Sequence, residues 1–245
     1  MTNVLILRAP GTNCDQETAY AFERAGAKLV EIAHLNRVLE SPNLMDRTEI
    51  LCIPGGFSFG DDIGAGKIFA SKIRNHLRDK FQEFRDAGKL ILGICNGFQV
   101  LLKAGLITGS REETLTWNQP PRYTDRWVHL KTEPSNCVFL QGIESLYLPI
   151  AHAEGRFVAK TPEKLTALQQ KRCLPLRYLP AENPNGSTWD VAGACDESGR
   201  IFGLMPHPER HLDLIQHPHW TRLPKNHPKE GDGLSLFRNA VKFAT

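Results

Sequence analysis

The chain has 245 residues, a length that fits one large or two small domains with a substantial apolar core. With 41% apolar and 23% charged residues its composition is ordinary for a soluble globular protein, and a net charge of +3 without a basic block gives no indication of a nucleic acid or an anionic membrane as partner. No apolar stretch approaches the roughly 20 residues of a membrane span, and the first residues lack the basic region and cleavage site of a signal peptide, so we expect neither.

The first 105 residues alternate between strand and helix patterns. Apolar runs typical of buried strands lie at residues 4–7, 29–33, 49–53 and 90–94. Helical spacing of apolar residues follows at 15–25, 69–84 and 98–102, with Gly26, Gly88 and Gly105 as stops. This alternation predicts a parallel sheet covered on both faces. Ligands bind such sheets beyond the carboxyl ends of the strands, where the loops 9–14, 54–61 and 95–99 gather.

The second half of the chain has a different pattern. Residues 109–127 are polar and show no periodicity, and short strands are predicted at 128–130, 146–150, 156–159, 174–179, 190–194 and 201–205. We interpret them as a small additional β subsheet followed by a return to the central sheet. A surface loop is predicted over 216–232, and a last helix follows it. The predicted fold is therefore α/β, a flavodoxin-like three-layer sandwich with a central, mainly parallel sheet, and residues 1–245 form a single domain.

Cys95 stands where the fourth strand pattern changes into a helix pattern. Gly93 and Gly97 flank it and permit a sharp turn. The arrangement corresponds to the G-x-S-x-G elbow of serine hydrolases, with cysteine as the nucleophile. A helix N-terminus favours the thiolate, and the N–H of Asn96 would point to a developing oxyanion. A buried structural cysteine is the alternative, but the two glycines and the strand-to-helix change favour a nucleophile.

His207 and Glu209 follow the last apolar strand run within the sequence Met-Pro-His-Pro-Glu. Prolines on both sides of His207 restrict the backbone. A thiol nucleophile needs a base near neutral pH, and a carboxylate on the far ring nitrogen orients that base. Alone the pair is a weak signal that also suits a surface turn. With Cys95 upstream, we predict a Cys95–His207–Glu209 triad.

The glycine pair Gly55–Gly56 and the adjacent Phe57 follow the third strand run. Paired glycines let backbone N–H groups approach a ligand and stabilise an oxyanion, although a simple turn is an equally good interpretation of this stretch alone. No phosphate-binding or dinucleotide motif occurs, so we expect no nucleotide cofactor.

Neither the cysteines nor the histidines show the spacing of a known framework. The six cysteines match no zinc or disulfide pattern, which predicts a reducing, cytoplasmic setting. Histidines are frequent near the C-terminus, but they lack a third ligand at suitable spacing, so we predict no metal site. The histidines concerned are His207, His211, His217, His219 and His227.

Taken together, the motifs resemble one family, the triad-type glutamine amidotransferases. The motifs are G-I-C-N-G-F-Q at 93–99, P-G-G-F-S-F-G-D at 54–61 and M-P-H-P-E-R at 205–210. Within that family the chain most resembles the glutaminase subunits of phosphoribosylformylglycinamidine synthase, because further matches lie at 10–15, 149–155 and 182–187. The matches occur in order over nearly the whole chain.

The resemblance implies a reaction and a set of partners. Cys95 would attack the side-chain amide of glutamine, His207 would transfer protons, and Glu209 would orient it. The backbone at Gly56 and Asn96 would hold the oxyanion, with Gly55, Phe57 and Gln99 beside the substrate. Ammonia would pass to an ATP-using synthase subunit, where ATP and magnesium are expected, and the resemblance leaves open a small accessory subunit.

Some positions depart from the family pattern. Ala153 replaces a usual glycine, residues 62–67 lack a usual arginine, and the tail 211–232 is longer than expected. None of these changes affects the predicted triad. Two alternatives stay open at this point, the glutaminase of a different ammonia-using synthase and a non-catalytic regulatory subunit.

Overall fold

The first half of the chain forms the parallel part of the sheet. A computed structural model describes residues 2–224, 226 and 228–245. Its first strands are β1 (Asn3–Arg8), β2 (Leu29–His34), β3 (Ile50–Ile53) and β4 (Leu90–Ile94). The helices between and after them are α1 (Asp15–Arg24), α2 (Leu35–Glu40), α3 (Lys67–Lys72), α4 (Arg78–Asp86) and α5 (Asn96–Ala104). A π-helical turn at Ile73–Leu77 joins α3 to α4, so the helical spacing predicted at 69–84 is confirmed as one interrupted helical stretch.

The part of the second half that the structure describes adds seven strands and two helices. The strands are β5 (Glu113–Thr116), β6 (Thr124–Thr132), β7 (Ser145–His152), β8 (Arg156–Ala159), β9 (Leu176–Tyr178), β10 (Val191–Cys195) and β11 (Ile201–Leu204). The helices are α6 (Pro162–Gln170) and α7 (Gly233–Phe243). Short 3-10 helices at Leu214–Gln216 and Trp220–Arg222 interrupt the predicted surface loop.

Within the described residues, nine strands form the large sheet, in the order β2-β1-β3-β4-β11-β10-β9-β6-β7. The strands from β2 to β11 in that order pair in parallel. The strands from β10 to β7 pair antiparallel, and β10 and β11 form an antiparallel hairpin. A separate two-stranded sheet pairs β5 with β8. The predicted α/β fold with a small additional subsheet is therefore confirmed, although most of the short strands extend the large sheet.

Two predictions for the second half were incomplete. The segment 109–127 contains β5 and the start of β6, where polarity predicted no element. Glu113 is buried in β5 and bonded to Ser110 at 2.7 Å, and the first residues of β6 face solvent, so the apolar alternation is missing. Helix α6 was not predicted, because only Leu165 and Leu168 of its residues are buried.

The buried apolar side chains form one cluster that runs from Val4 to Val241. Within it α1 packs on α7, where the rings of Phe22 and Phe237 meet edge to face at 4.9 Å. The extent of the domain stays a prediction. Among the described helices, none is long and apolar enough to cross a membrane.

Candidate active site

Cys95 occupies a sharp turn between β4 and α5. Its φ of 50° and ψ of −103° lie outside the regions that non-glycine residues favour. The side chain is 5% exposed, and its Sγ lies 3.8 Å from the carbonyl oxygen of Ala151. This geometry confirms the predicted sharp turn between strand and helix at Cys95, and it adds that the turn is strained.

The glycines beside Cys95 are required for close packing. A Cβ on Gly97 would lie 1.9 Å from the carbonyl oxygen of Ile53, and a Cβ on Gly93 would lie 2.7 Å from the carbonyl of Gly97. On the other side, a Cβ on Gly203 would lie 2.2 Å from the ring of Phe98. Helix α5 therefore packs directly on β3 and β11, which fixes the position of its N-terminus.

His207 and Glu209 form a buried pair just after β11. The His207 Nδ1 lies 2.6 Å from the Glu209 Oε1, and the two residues are 2% and 1% exposed. The His207 N–H donates to the carbonyl oxygen of Pro149 at 2.9 Å, which ties this turn to β7. Burial by itself would lower the pKa of His207, but the charges of Glu209 and Cys95 raise it well above its usual value. The structure thus brings all three predicted triad residues together.

A second thiol, that of Cys14, lies near the same ring nitrogen of His207 that Glu209 contacts. Its Sγ lies 4.0 Å from the His207 Nδ1, and it accepts a hydrogen bond from the Arg210 Nη2 at 3.2 Å. The Asn13 Oδ1 accepts from the thiol at 3.2 Å. Burial raises the pKa of Cys14 to about 11, so it is a neutral thiol. The sequence motif at 10–15 contained this residue, but no spacing to His207 could indicate the contact.

The glycine loop lies behind His207 as well as beside the elbow. A Cβ on Gly55 would lie 2.7 Å from the His207 Cε1 and 2.9 Å from the Cys14 Sγ. Gly56 has a φ of 140°, which side chains rarely permit, and pairs with Thr12 in an isolated bridge. Gly55 therefore packs against the base, whereas Gly56 is the residue whose conformation requires glycine.

Asn96 and Gln99 belong to a buried polar network. The Asn96 Nδ2 donates to the Gln99 Oε1 at 2.9 Å, and its Oδ1 accepts from the Ser58 N–H at 3.3 Å. The Gln99 Nε2 donates to the carbonyl oxygen of Glu154 at 2.7 Å. As the first residue of α5, Asn96 has a backbone N–H without an intrahelical acceptor. The side chains hold the elbow in place, and the free amide is available for a ligand.

Residues from the antiparallel half form the opposite wall. The exposed rings of Phe57 and Tyr123 stack with centroids 6.4 Å apart. His152 is buried on β7, and its Nδ1 donates to the Asn118 Oδ1 at 3.1 Å. Burial, with the nearby charge of His207, lowers the pKa of His152 to about 3, so the ring is neutral. Tyr123 lies in the stretch without periodicity, which is why the sequence did not indicate it.

One group of side chains has the spacing of metal ligands. The donor atoms of Cys14, His207 and Glu209 lie within 4.8 Å of one another. His207 and Glu209 are already bonded to each other, however, and the Arg210 guanidinium occupies the far side of the thiol. The atoms of this set that could bind a metal are therefore already engaged within the protein. His227 lies outside the described residues.

These features match a known class of proteins. Over residues 1–244 the chain matches the CobB/CobQ-like glutamine amidotransferase domain, and it belongs to that family. This confirms the resemblance that the motifs indicated.

Two relatives and one solved structure are similar to the chain over nearly its full length. The chain is 47% identical to "Phosphoribosylformylglycinamidine synthase subunit PurQ" of Dehalococcoides mccartyi, over 98% of the chain and 96% of the relative. It is 42% identical to the subunit of the same name from Methanococcus maripaludis, with the same coverage of 98% and 96%. Among solved structures it is similar to the structure of PurLQS from Thermotoga maritima, with a TM-score of 0.78 at 30% identity over 100% of both chains.

Proposed function

We propose that this chain is the glutaminase subunit of a phosphoribosylformylglycinamidine synthase in purine biosynthesis. The observation that carries the proposal is the strained Cys95 elbow facing the buried His207–Glu209 pair, in a member of the glutamine amidotransferase family. The relatives named PurQ specify the synthase. An intact triad argues against the non-catalytic alternative.

The reaction begins with attack of the Cys95 sulfur on the side-chain amide carbon of glutamine. His207 takes the thiol proton and gives it to the leaving nitrogen, so that ammonia departs and a glutamyl thioester remains. Water then attacks the thioester with His207 as base, which releases glutamate and restores the thiol. Glu209 holds the ring orientation and stabilises the imidazolium between these steps.

The elbow also supplies the electrostatic part of the reaction. The amides of Gly56 and Asn96 are the proposed oxyanion donors, one from the loop after β3 and one from the N-terminus of α5. The positive end of the helix dipole favours both the thiolate and the oxyanion. A raised His207 pKa has the same effect, because an imidazolium next to the sulfur stabilises a thiolate.

The amino-acid end of glutamine needs charged partners. A cavity of about 700 Å³ adjoins the Asn96–Gln99 network and is lined by charges of both signs, among them Asp61, Glu154 and Lys103. The Glu154 carboxylate and the Lys103 ammonium lie 3.9 Å apart. Such a lining suits a ligand that carries one ammonium and one carboxylate, and we place the zwitterionic end of glutamine there.

The second half of the reaction requires another polypeptide. The sequence contains no nucleotide-binding motif, so ATP and magnesium would be bound by the synthase subunit. A small accessory subunit would fit the three-component name of the structural relative. The proposed setting is cytoplasmic, where free thiols such as those of the six cysteines persist.

The test is glutamate release from glutamine by the chain with its synthase subunit, ATP and formylglycinamide ribonucleotide. We expect glutamate and the amidinated nucleotide to form in equal amounts. Glutamate formation that the Cys95→Ala variant retains would overturn the assignment of the nucleophile. Glutamate formation without coupling to this nucleotide would indicate a different synthase.

A further inference from the structure

A cavity of about 520 Å³ lies between the helical stretch 74–85 and the loop after α5. None of the triad residues lines it. Its described lining contains four arginines and no carboxylate, and Asn75, Gln82 and Ser110 add neutral polar groups. The arginines are Arg74, Arg78, Arg85 and Arg111. The cavity is therefore a cationic site within a chain of nearly balanced charge.

Two of the arginines have partners in the protein. Arg74 donates to the carbonyl oxygen of Lys103 at 2.7 Å, at the end of α5, and Arg85 pairs with Asp86 at 2.9 Å. Among the described residues, the side chains of Arg78 and Arg111 form no hydrogen bond or ion pair. Their guanidinium groups are thus available to a ligand.

The cluster is electrostatically unfavourable as it stands. Burial lowers the pKa of Arg74, and the charge of Arg111 lowers it further. Among the described residues, Arg85 is the one arginine of the four with an ion pair, so gathering these like charges costs free energy, which an anion in the cavity would recover. A guanidinium group can donate two parallel hydrogen bonds to two oxygens of one phosphate. The volume of the cavity lies within the range of small-ligand sites.

We propose that this cavity binds a phosphorylated small molecule with two or more phosphate groups. Four guanidinium groups spread over the lining suit a di- or triphosphate better than a single phosphate. Inorganic pyrophosphate and a nucleoside di- or triphosphate share this chemistry. The cavity shares Arg74 and Arg111 with the lining of the 700 Å³ cavity proposed for glutamine, but none of the triad residues lines it, so binding of the phosphates does not depend on the triad.

Titration calorimetry on the full chain tests this proposal at constant ionic strength. The ligands are sodium phosphate, sodium pyrophosphate and ADP. We expect pyrophosphate to bind at least tenfold more tightly than phosphate, and the Arg78→Gln/Arg111→Gln variant to lose at least tenfold in affinity. Arg47→Gln, an exposed arginine elsewhere, is the matched control and should bind as the unchanged chain does. Tighter binding of ADP than of pyrophosphate would identify a nucleotide as the preferred source of the phosphates.

Two results would overturn the proposal, namely no binding of pyrophosphate at millimolar concentration, and an equal loss of affinity in the control. If pyrophosphate does not bind, protection of Arg78 and Arg111 from a guanidine-modifying reagent by the synthase subunit would assign the cavity to an acidic protein surface.

A different observation concerns Cys14, and it rests on the function proposed above. The thiol lies against the His207 Nδ1, and the Arg210 guanidinium and the Asn13 amide fix its position. The backbone N–H of Cys14 also donates to the carbonyl oxygen of Gly55 at 3.3 Å, so Cys14 connects the glycine loop to His207. A buried cysteine that acted only as a small apolar residue would not require these polar contacts.

We infer that Cys14 is a positioning residue for His207. The sulfur closes the side of the ring away from the substrate and keeps water from competing for the His207–Glu209 hydrogen bond. Its hydrogen bond to His207 also supports the imidazolium form. The other titratable groups near the ring come from several elements. They are Cys95 from the elbow, Glu209 and Arg210 from the same turn, His152 from β7 and Tyr123 before β6.

The experiment compares Cys14→Ala, Cys14→Ser and Cys52→Ala in complex with the synthase subunit. Cys52 is an equally buried cysteine on β3 and serves as the matched control. We expect Cys14→Ala to lower kcat for glutamine about tenfold to a hundredfold with little change in KM. The pH profile of Cys95 alkylation, followed by peptide mass spectrometry, should shift to higher pH. Cys14→Ser should restore part of kcat.

A merely structural role would give a different result. Cys14→Ala would then lower the melting temperature as Cys52→Ala does, without a shift of the alkylation profile, and the inference would be wrong. Failure of the proposed function is distinguishable, because it would appear as retained glutaminase activity in Cys95→Ala whatever residue occupies position 14.

Discussion

Two buried histidines, one from each half of the sheet, differ in charge. His207 follows the parallel strand β11 and pairs with a carboxylate, and its pKa is well above the usual value. His152 ends the antiparallel strand β7 and bonds to the amide of Asn118, and its pKa is lowered to about 3. Both rings are nearly inaccessible to solvent. Burial lowers the pKa of both rings, and only His207 has a carboxylate partner, whose charge together with that of Cys95 outweighs the effect of burial.

The comparison shows how the two halves divide the work of the site. Loops at the carboxyl ends of the parallel strands supply the proposed nucleophile, base and oxyanion donors. The antiparallel half supplies an enclosing wall that carries no compensating charge, from Ala151, His152 and Tyr123. A neutral wall beside a charged pair strengthens the electrostatic interactions within the site.

The largest expected effect is that of removing the nucleophile. Cys95→Ala should lower the glutaminase rate by about four to six orders of magnitude, because triad residues act as a unit. Adding His207→Ala to it should cost little more. Cys173→Ala, another buried cysteine, is the control and should retain activity. Near-normal glutamate release by Cys95→Ala would exclude the triad.

Removing the charge of the Glu209 carboxylate, in the parallel half, should have the next largest effect on glutaminase activity. Glu209→Gln keeps the shape but removes the charge that raises the His207 pKa, so the imidazolium and the thiolate are both less stable. We expect glutaminase activity to fall about a hundredfold or more, but less than in Cys95→Ala. Alkylation of Cys95 should require a higher pH. An unchanged pH profile would show that Glu209 does not set the charge of His207.

The synthase subunit should have a smaller effect on glutaminase activity. It should act through the glycine loop after β3, which contacts the antiparallel half at Tyr123. Phe57 stacks on Tyr123, so movement of this contact would move the Gly55–Gly56 backbone as well. Free ammonia would be wasted without a partner, and we expect low glutaminase activity of the isolated chain. It should rise at least tenfold with the synthase subunit, its nucleotide and formylglycinamide ribonucleotide, through a loop movement. Full activity of the isolated chain would contradict this coupling, whatever the triad does.

The sequence predicted the strands and site residues of the parallel half better than those of the antiparallel half. The strands of the parallel half are continuous apolar runs and its site residues stand next to glycines or prolines, which mark turns at the ends of strands. The wall residues had no such marks. Tyr123 lies in a polar segment, and the partner of His152 is Asn118, 34 residues before it, so only the strand pairing reveals the contact. The contact of Cys14 with His207 spans 193 residues and likewise depends on the folded structure.

The smallest expected effect concerns the contribution of His152, in the antiparallel half, to the free energy of unfolding. The unfolded chain protonates His152 below its ordinary pKa of 6.5, whereas the folded chain does so only near a pKa of about 3. The unfolded state binds more protons within this window, so the folded state loses stability as the pH falls through it, by about 1.4 kcal/mol per pH unit from this residue. His207 has the opposite sign, because its raised pKa gives stability that is fully present below about 6.5 and is lost as the pH rises through the folded pKa.

His152→Gln separates the two contributions, because glutamine can still donate to the Asn118 Oδ1 but does not titrate. Urea unfolding at pH 7.5 and at pH 5.0 gives the free energy of unfolding of each chain. The unchanged chain should lose about 2 kcal/mol more than His152→Gln between these values, since all other groups are common to both chains. His76→Gln, at an exposed histidine, should behave as the unchanged chain does. If the difference between the unchanged chain and His152→Gln stays constant with pH, His152 is not held neutral by its environment, and the contrast with His207 does not hold.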